Sequence, residues 1–203
     1  MPADGQHLPV MEAFHTLQGE GAYTGQAAYF IRLAGCDVGC TWCDVKDSWD
    51  ASKHPVHTVE QIVEEASRHP ARIAVVTGGE PLLYDLLPLT TALRKAGFRT
   101  HIETSGSSPI SGEWHHICFS PKKFKAPVKD FHALADELKV VVFNKHDLQW
   151  AEEHAAHTRP DCALYLQPEW SKRDTMMPLV VNHVLEHPRW RVSLQTHKYM
   201  NIP

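Results

Sequence analysis

No stretch of this chain approaches the roughly 18 consecutive apolar residues of a membrane-spanning helix, and its longest strongly apolar run, residues 140–143, is strand-sized. Positive charge is also in short supply. The 20 Lys and Arg against 24 Asp and Glu leave a formal charge of −4, without the cationic face that nucleic acid or an anionic bilayer requires. The N-terminal MPADGQHLPV has neither the basic flank nor the apolar core of an export signal. Repeats, low-complexity tracts and long linkers are missing too, so residues 1–203 are expected to form one domain. Together these absences predict a cytoplasmic enzyme with no nucleic-acid and no membrane partner. A 43% hydrophobic share is enough to bury a core and argues against disorder.

Cysteine is scarce and unevenly placed. Of five, Cys36, Cys40 and Cys43 fall within eight residues, while Cys118 and Cys162 stand alone in apolar surroundings. An odd count without an export signal is a poor disulfide framework, so the cluster reads as metal ligands and the other two as small buried hydrophobes.

Strands are expected at 28–34, an apolar run interrupted by Arg32, at the β-branched 72–77, and at 98–103, 116–120, 138–143, 162–167 and 190–195. Between them lie helical patterns. One is opened by the Thr58-x-x-Gln61 capping box and runs to His69; a second covers 82–96 and stops at Gly97. A third starts near Asp147, and a fourth, opened by Asp174, covers 176–186. Strands alternating with helices predict right-handed crossovers and a mainly parallel sheet. An eight-fold barrel needs about 250 residues. The expected fold is therefore α/β, a partial, open (β/α) barrel with some crossovers reduced to loops. The polar motifs at 35–43, 78–81, 104–106, 121–123 and 168–170 each follow a strand, which gathers them at one C-terminal sheet edge.

The triad reads Cys36-Asp-Val-Gly-Cys40-Thr-Trp-Cys43, with no fourth cysteine nearby. A structural zinc site closes with four ligands and would have to recruit a histidine such as His54 or His57. A cubane 4Fe–4S cluster held by three thiolates instead keeps one iron open for a reactant.

This spacing resembles the radical S-adenosylmethionine (SAM) superfamily, and Thr77-Gly-Gly-Glu-Pro81 resembles its Gly-Gly-Glu element. The strings Leu17-Gln-Gly-Glu-Gly21, Phe30-Ile-Arg32, Cys43-Asp44, Glu103-Thr-Ser-Gly106, Ser120-Pro-Lys122, Gln167-Pro168 and 195–203 resemble the 7-carboxy-7-deazaguanine synthase family over almost the whole chain. That resemblance implies conversion of 6-carboxy-5,6,7,8-tetrahydropterin to 7-carboxy-7-deazaguanine with loss of ammonia, on the route to queuosine. It implies a 4Fe–4S cluster and SAM as cofactors, a 5′-deoxyadenosyl radical as the hydrogen abstractor, an electron donor such as flavodoxin and a homodimer. Carried over by position, Cys36, Cys40 and Cys43 hold the cluster. Trp42, Asp44, Gly79, Glu80, Ser105, Ser120, Pro121, Lys122, Gln167, Pro168, Glu169 and Trp170 attend SAM, with Glu80 accepting from its ammonium. Leu17, Gln18, Gly19 and Thr77 line the pterin site, which His197 approaches; Arg32 pairs with the substrate carboxylate, and the Pro203 carboxylate meets the pterin edge.

One departure stands out. Family members place Thr or Ser after Cys-Asp, where the hydroxyl helps hold Mg²⁺; Val45 stands there in this chain and offers no side-chain oxygen, which implies weaker Mg²⁺ dependence. Lys122, Lys123, Lys125 and Lys129 read as a solvated face with one SAM-contacting lysine. Two other functions share parts of the pattern. A glycyl-radical activase would use the triad and Gly-Gly-Glu but leave the Leu17–Gly21 string unexplained, and a zinc-stabilised binding module explains the cysteines alone.

Overall fold

Hydrogen bonding joins nine strands into one sheet in the computed structural model, which describes residues 4–203. The first three residues, part of the N-terminal stretch read for export signals, lie outside the described residues. The strands are β1 (His7–Leu17), β2 (Ala27–Leu33), β3 (Val56–Thr58), β4 (Ile73–Gly78), β5 (Arg99–Thr104), β6 (His116–Phe119), β7 (Glu137–Val142), β8 (Ala163–Pro168) and β9 (Trp190–Val192). Their spatial order is β3-β1-β2-β4-β5-β6-β7-β8-β9. From β2 to β9 every neighbouring pair is parallel, while β1 runs antiparallel to both β2 and β3. This is the open α/β architecture expected from the alternation.

Crossovers vary as the length demanded. Helices α1 (Val59–Ser67), α2 (Leu87–Lys95), α3 (His146–Ala155) and α4 (Arg173–Glu186) serve four of them. The β5–β6 link is a loop, and β6–β7 has only a 3-10 turn at Phe131–Leu134. The α1 capping box forms as written: Gln61 N–H donates to Thr58 Oγ1 at 3.3 Å and Thr58 N–H to Gln61 Oε1 at 2.9 Å. Leu89, Leu93, Ala151 and Val180 from the helices meet Val76, Ile102, Phe119, Val140 and Leu166 from the strands in the core. Cys118 and Cys162 are buried, as small hydrophobes should be. Among the described residues, no helix is long and apolar enough to cross a membrane.

Five expectations need correction, one being the helix opened by Asp174, which begins at Arg173 with Asp174 already in its first turn. The helix expected over 82–96 begins at Leu87, because Pro88 lacks an N–H and belongs in a first turn; Pro81–Leu83 forms a separate 3-10 turn. The helix from the capping box ends at Ser67, two residues before His69. The last strand stops at Val192 rather than at 195, since Ser193 Oγ turns to donate to Gln167 Oε1 at 2.8 Å, and α5 (Thr196–Met200) follows. Strands β1 and β3 have no counterpart in the sequence reading. A register shift between Val10 and Glu12 breaks the period-two pattern of β1, and Pro9 masks it further.

Candidate active site

Strand alternation decides which side chains reach the inner face. In β7, Leu138, Val140 and Val142 enter the apolar core, so Glu137, Lys139 and Val141 fall on the opposite side. There a cavity of about 220 Å³ opens at the C-terminal strand ends, lined by Cys36, Cys40, Trp42 and Cys43 together with Gly79, Glu80 and Ser105. Asp44, Ser120, Lys122, Gln167, Glu169 and Trp170 complete much of its wall. A second cavity of about 160 Å³ is lined by Leu17, Gln18, Gly19, Arg32, Thr77, His197 and Pro203. Glu20, Arg32, Asp44, Val45, Thr77, Glu103 and Gln195 line both, so the two spaces share one wall. Pro121 and Pro168, expected beside SAM, line neither cavity; Pro121 follows β6 and Pro168 is the last residue of β8.

The cysteine loop is pinned by backbone bonds. Gly35 N–H donates to Ser48 O at 2.6 Å and Cys36 N–H to Trp49 O at 3.2 Å. Gly79 and Glu80 then lock onto the strand-to-loop junction through Leu33 O and Gly35 O, each at 2.9 Å. A Cβ on Gly79 would stand 2.2 Å from Gly35 O and 2.8 Å from the Cys36 Cβ, so only glycine allows this approach. Gly19 has the same function in the second cavity: a Cβ there would lie 2.2 Å from His197 Nδ1.

All three thiols are free. Burial pushes the Cys36 thiol up and takes Cys40 to about 11, although Lys122 opposes this at Cys40. Ligation by a cationic centre is what turns such groups into thiolates. Ligands of one zinc ion stand about 3.3–3.8 Å apart. Among the described residues a single group of three ligand atoms lies within 4.8 Å of one another, and it is not the thiols. His54 Nε2 is engaged with Asp47 O at 2.7 Å, and neither His54 nor His57 lines the cavity. Among the described residues, three free thiols with no fourth thiol or imidazole lining their cavity match the ligand set of a cluster rather than a closed zinc site.

Glu80 is more deeply embedded than the sequence implied. Its Oε1 accepts from Leu82 N–H at 3.1 Å and Thr104 Oγ1 at 2.5 Å, and its Oε2 from Ser105 N–H at 2.9 Å and Ser105 Oγ at 2.5 Å. These four contacts brace the end of β4 against β5 and fix the carboxylate in the wall of the cavity that it lines. Lys122 Nζ reaches Ser120 O and Oγ at 2.5 and 2.6 Å, and burial lowers its pKa. Trp170 packs between Arg173, 4.4 Å from its ring centre, and Lys198 at 5.2 Å, with Tyr199 at its edge. Lys198 Nζ also donates to Asp44 Oδ2 at 2.8 Å, which ties α5 to the cysteine loop. Arg32 donates through Nε to Glu12 Oε1 at 2.6 Å.

The floor between the cavities is ionic. Lys139 Nζ donates to Glu20 Oε2 at 2.6 Å and Glu103 Oε2 at 2.7 Å, and Gln18 Nε2 donates to Glu103 Oε1 at 3.2 Å. Burial by itself would raise the Glu20 carboxyl. Lys139, Gln195 and His197 outweigh it and hold the group at about 2. The segment after β1 closes the open side of the sheet, with Gly21 N–H bound to Ser193 Oγ and Ala22 N–H to Glu137 Oε2.

Comparison with known proteins agrees with this geometry. The radical SAM superfamily pattern matches residues 30–115. A 7-carboxy-7-deazaguanine synthase from Flavobacterium psychrophilum is 54% identical over 199 residues, covering 98% of this chain and 94% of that protein. The chain belongs to the 7-carboxy-7-deazaguanine synthase family. A synthase of the same name from Synechocystis is 46% identical, covering 96% of this chain and 93% of that protein. The crystal structure of QueE from Escherichia coli matches with a TM-score of 0.83 at 36% identity, over 94% of this chain and 95% of that one.

As a 7-carboxy-7-deazaguanine synthase family member the chain is a radical SAM enzyme, with a 4Fe–4S cluster and SAM as cofactors. The activase and binding-module readings fall away, since these whole-length relatives carry the synthase name. Within the synthase site, the sequence reading missed Glu20 and Lys139 as wall residues. A lone lysine in the apolar run Leu138-Lys-Val-Val-Val142 was the one available signal for the second.

Proposed function

We propose that this chain converts 6-carboxy-5,6,7,8-tetrahydropterin into 7-carboxy-7-deazaguanine with loss of ammonia, returning SAM at the end of the cycle. The observation that carries the reading is the pair of cavities with a common wall, one edged by three free thiols and the other by Arg32, Gln18 and Pro203. Cys36, Cys40 and Cys43 would hold the cluster. Bound together, cluster and SAM supply a 5′-deoxyadenosyl radical. The protein's own contribution is to keep the two ligands adjacent and dry.

Several residues have assigned parts in this reading. Trp42, Asp44, Gly79, Ser105, Ser120, Lys122, Gln167, Glu169 and Trp170 hold SAM, and Glu80 positions Ser105 through its two bonds. Pro121 and Pro168 adjoin these residues in the chain. Leu17, Gln18, Gly19 and Thr77 form the pterin walls. Arg32 is anchored by Nε on Glu12, and its terminal nitrogens, without a protein partner among the described residues, form a fork for the substrate carboxylate. Residues 1–203 act as one domain, in the cytoplasm, as a homodimer reduced by a flavodoxin-type donor. Neither nucleic acid nor membrane takes part, in keeping with Lys122, Lys123 and Lys125 being bound to Ser120, Asp147 and Asp37.

Two predictions arise here. Pro203 lines the second cavity, and Thr16 Oγ1 donates to its carbonyl end at 3.3 Å, so its carboxylate is proposed to meet the pterin's ring N–H and amino donors. Residues appended after Pro203 raise KM for the pterin several-fold; steady-state kinetics on a tagged and an untagged protein measure this, and equal KM values refute it. Val45 lies where both cavities meet and gives a divalent ion no side-chain oxygen. Turnover therefore persists in a chelator. Complete loss in chelator, with sharp recovery on adding Mg²⁺, refutes that.

Electron paramagnetic resonance of the reduced protein tests the cofactor arrangement. A cluster held by Cys36, Cys40 and Cys43 would give a signal that changes when SAM is added. A spectrum indifferent to SAM contradicts the proposal.

A further inference from the structure

Outside the catalytic cavities, Glu152 on α3 and His183 and His187 at the end of α4 bring three ligand atoms within 4.8 Å of one another. We propose that these residues form a site for a borderline divalent transition-metal ion of the zinc class, clamping α3 to the C-terminal end of α4. Nothing in the synthase reaction uses them, and none lines either cavity.

The arrangement has the second layer of contacts that metal sites require. His187 Nδ1 lies 3.0 Å from the carbonyl oxygen of His183. A carbonyl only accepts, so Nδ1 carries the proton and the lone pair of His187 sits on Nε2, where a metal takes it. On the other side, Trp190 Nε1–H donates to Glu152 Oε1 at 2.8 Å and fixes the carboxylate. His183 Nε2 lies 2.7 Å from the same oxygen. An ion between them replaces that shared proton, and the His183 imidazole stays neutral by holding its proton on Nδ1.

Spacing and charge agree with this. His183 and His187 are four residues apart and lie side by side, ring centroids 4.2 Å apart; binding would turn the stacked rings, now at 17°, so that both in-plane lone pairs face one ion. Like the ends of other long helices, the last turn of α4 carries partial negative charge from its free carbonyls, which favours a cation. Two imidazoles and one carboxylate suit Zn²⁺ with water in the fourth place; Mg²⁺ and Ca²⁺ prefer an all-oxygen shell. The ion would join α3 to α4 directly, with Trp190, which opens β9, holding the Glu152 carboxylate.

The test uses cluster-loaded enzyme dialysed against micromolar Zn²⁺, with zinc and iron both measured. Wild type takes up one zinc per chain with its iron content unchanged, and its melting temperature rises. His187→Ala, an exposed position, weakens zinc binding at least about tenfold and abolishes the rise. Equal zinc uptake by wild type and His187→Ala overturns the proposal. So does uptake that occurs only as iron is lost, since the zinc is then on the cysteines.

Discussion

Replacing Lys139 by methionine destabilises the fold by about 3–5 kcal/mol, the usual cost of removing one partner from a buried ion network. The Lys139 side chain is 3% exposed and bridges Glu20 and Glu103, which come from different parts of the chain. Methionine fills similar space but leaves two carboxylates facing each other without a cation. Denaturant unfolding at pH 7 measures the loss, and an unchanged midpoint would contradict it. Adding Glu20→Gln and Glu103→Gln to the methionine variant removes the stranded charges and restores much of the stability. Turnover stays low in both variants, because the same residues form the wall between the cavities. The pH dependence follows from Glu20. Its folded value of about 2 lies below the ordinary 4.5, so its contribution is complete above about pH 4.5 and fades as the pH falls toward 2. In the Lys139→Met protein that contribution is missing at neutral pH as well.

Cys40→Ser abolishes turnover without unfolding the protein. Cys40 is the most buried of the triad, and its loop is held by backbone bonds that the substitution leaves in place. Purified without air, wild type is brown with about four irons per chain, as a cubane requires, whereas the variant is pale and inactive. Cys162→Ala supplies the control: Cys162 is buried away from both cavities, so that protein keeps its colour and rate at a modest cost in stability. Iron retention by Cys40→Ser together with wild-type turnover would remove the triad from the account.

How far the sequence was readable depends on how local each feature is. The cysteine triad and the Gly-Gly-Glu element lie within short segments that follow predicted strands, and adjacency alone exposes them. The α1 capping box is equally local. By contrast Lys139 meets Glu20 across 119 residues of chain and Glu103 across 36, and no spacing rule links them. Strand β1 was hidden because its bulge interrupts alternation, and α5 because five residues are too few to show a helical period. Glu80 illustrates a different limit. Its motif was recognisable, but its four internal donors come from Leu82, Thr104 and Ser105, and only packing reveals that they hold it in place.

The central claim is that the thiol-edged cavity and its neighbour together rearrange a carboxypterin. Cluster-loaded protein incubated without air with SAM, dithionite and 6-carboxy-5,6,7,8-tetrahydropterin, then analysed by mass spectrometry, tests it directly. The account predicts 7-carboxy-7-deazaguanine in amounts exceeding the SAM consumed. Recovery of the pterin intact while SAM is cleaved would contradict it.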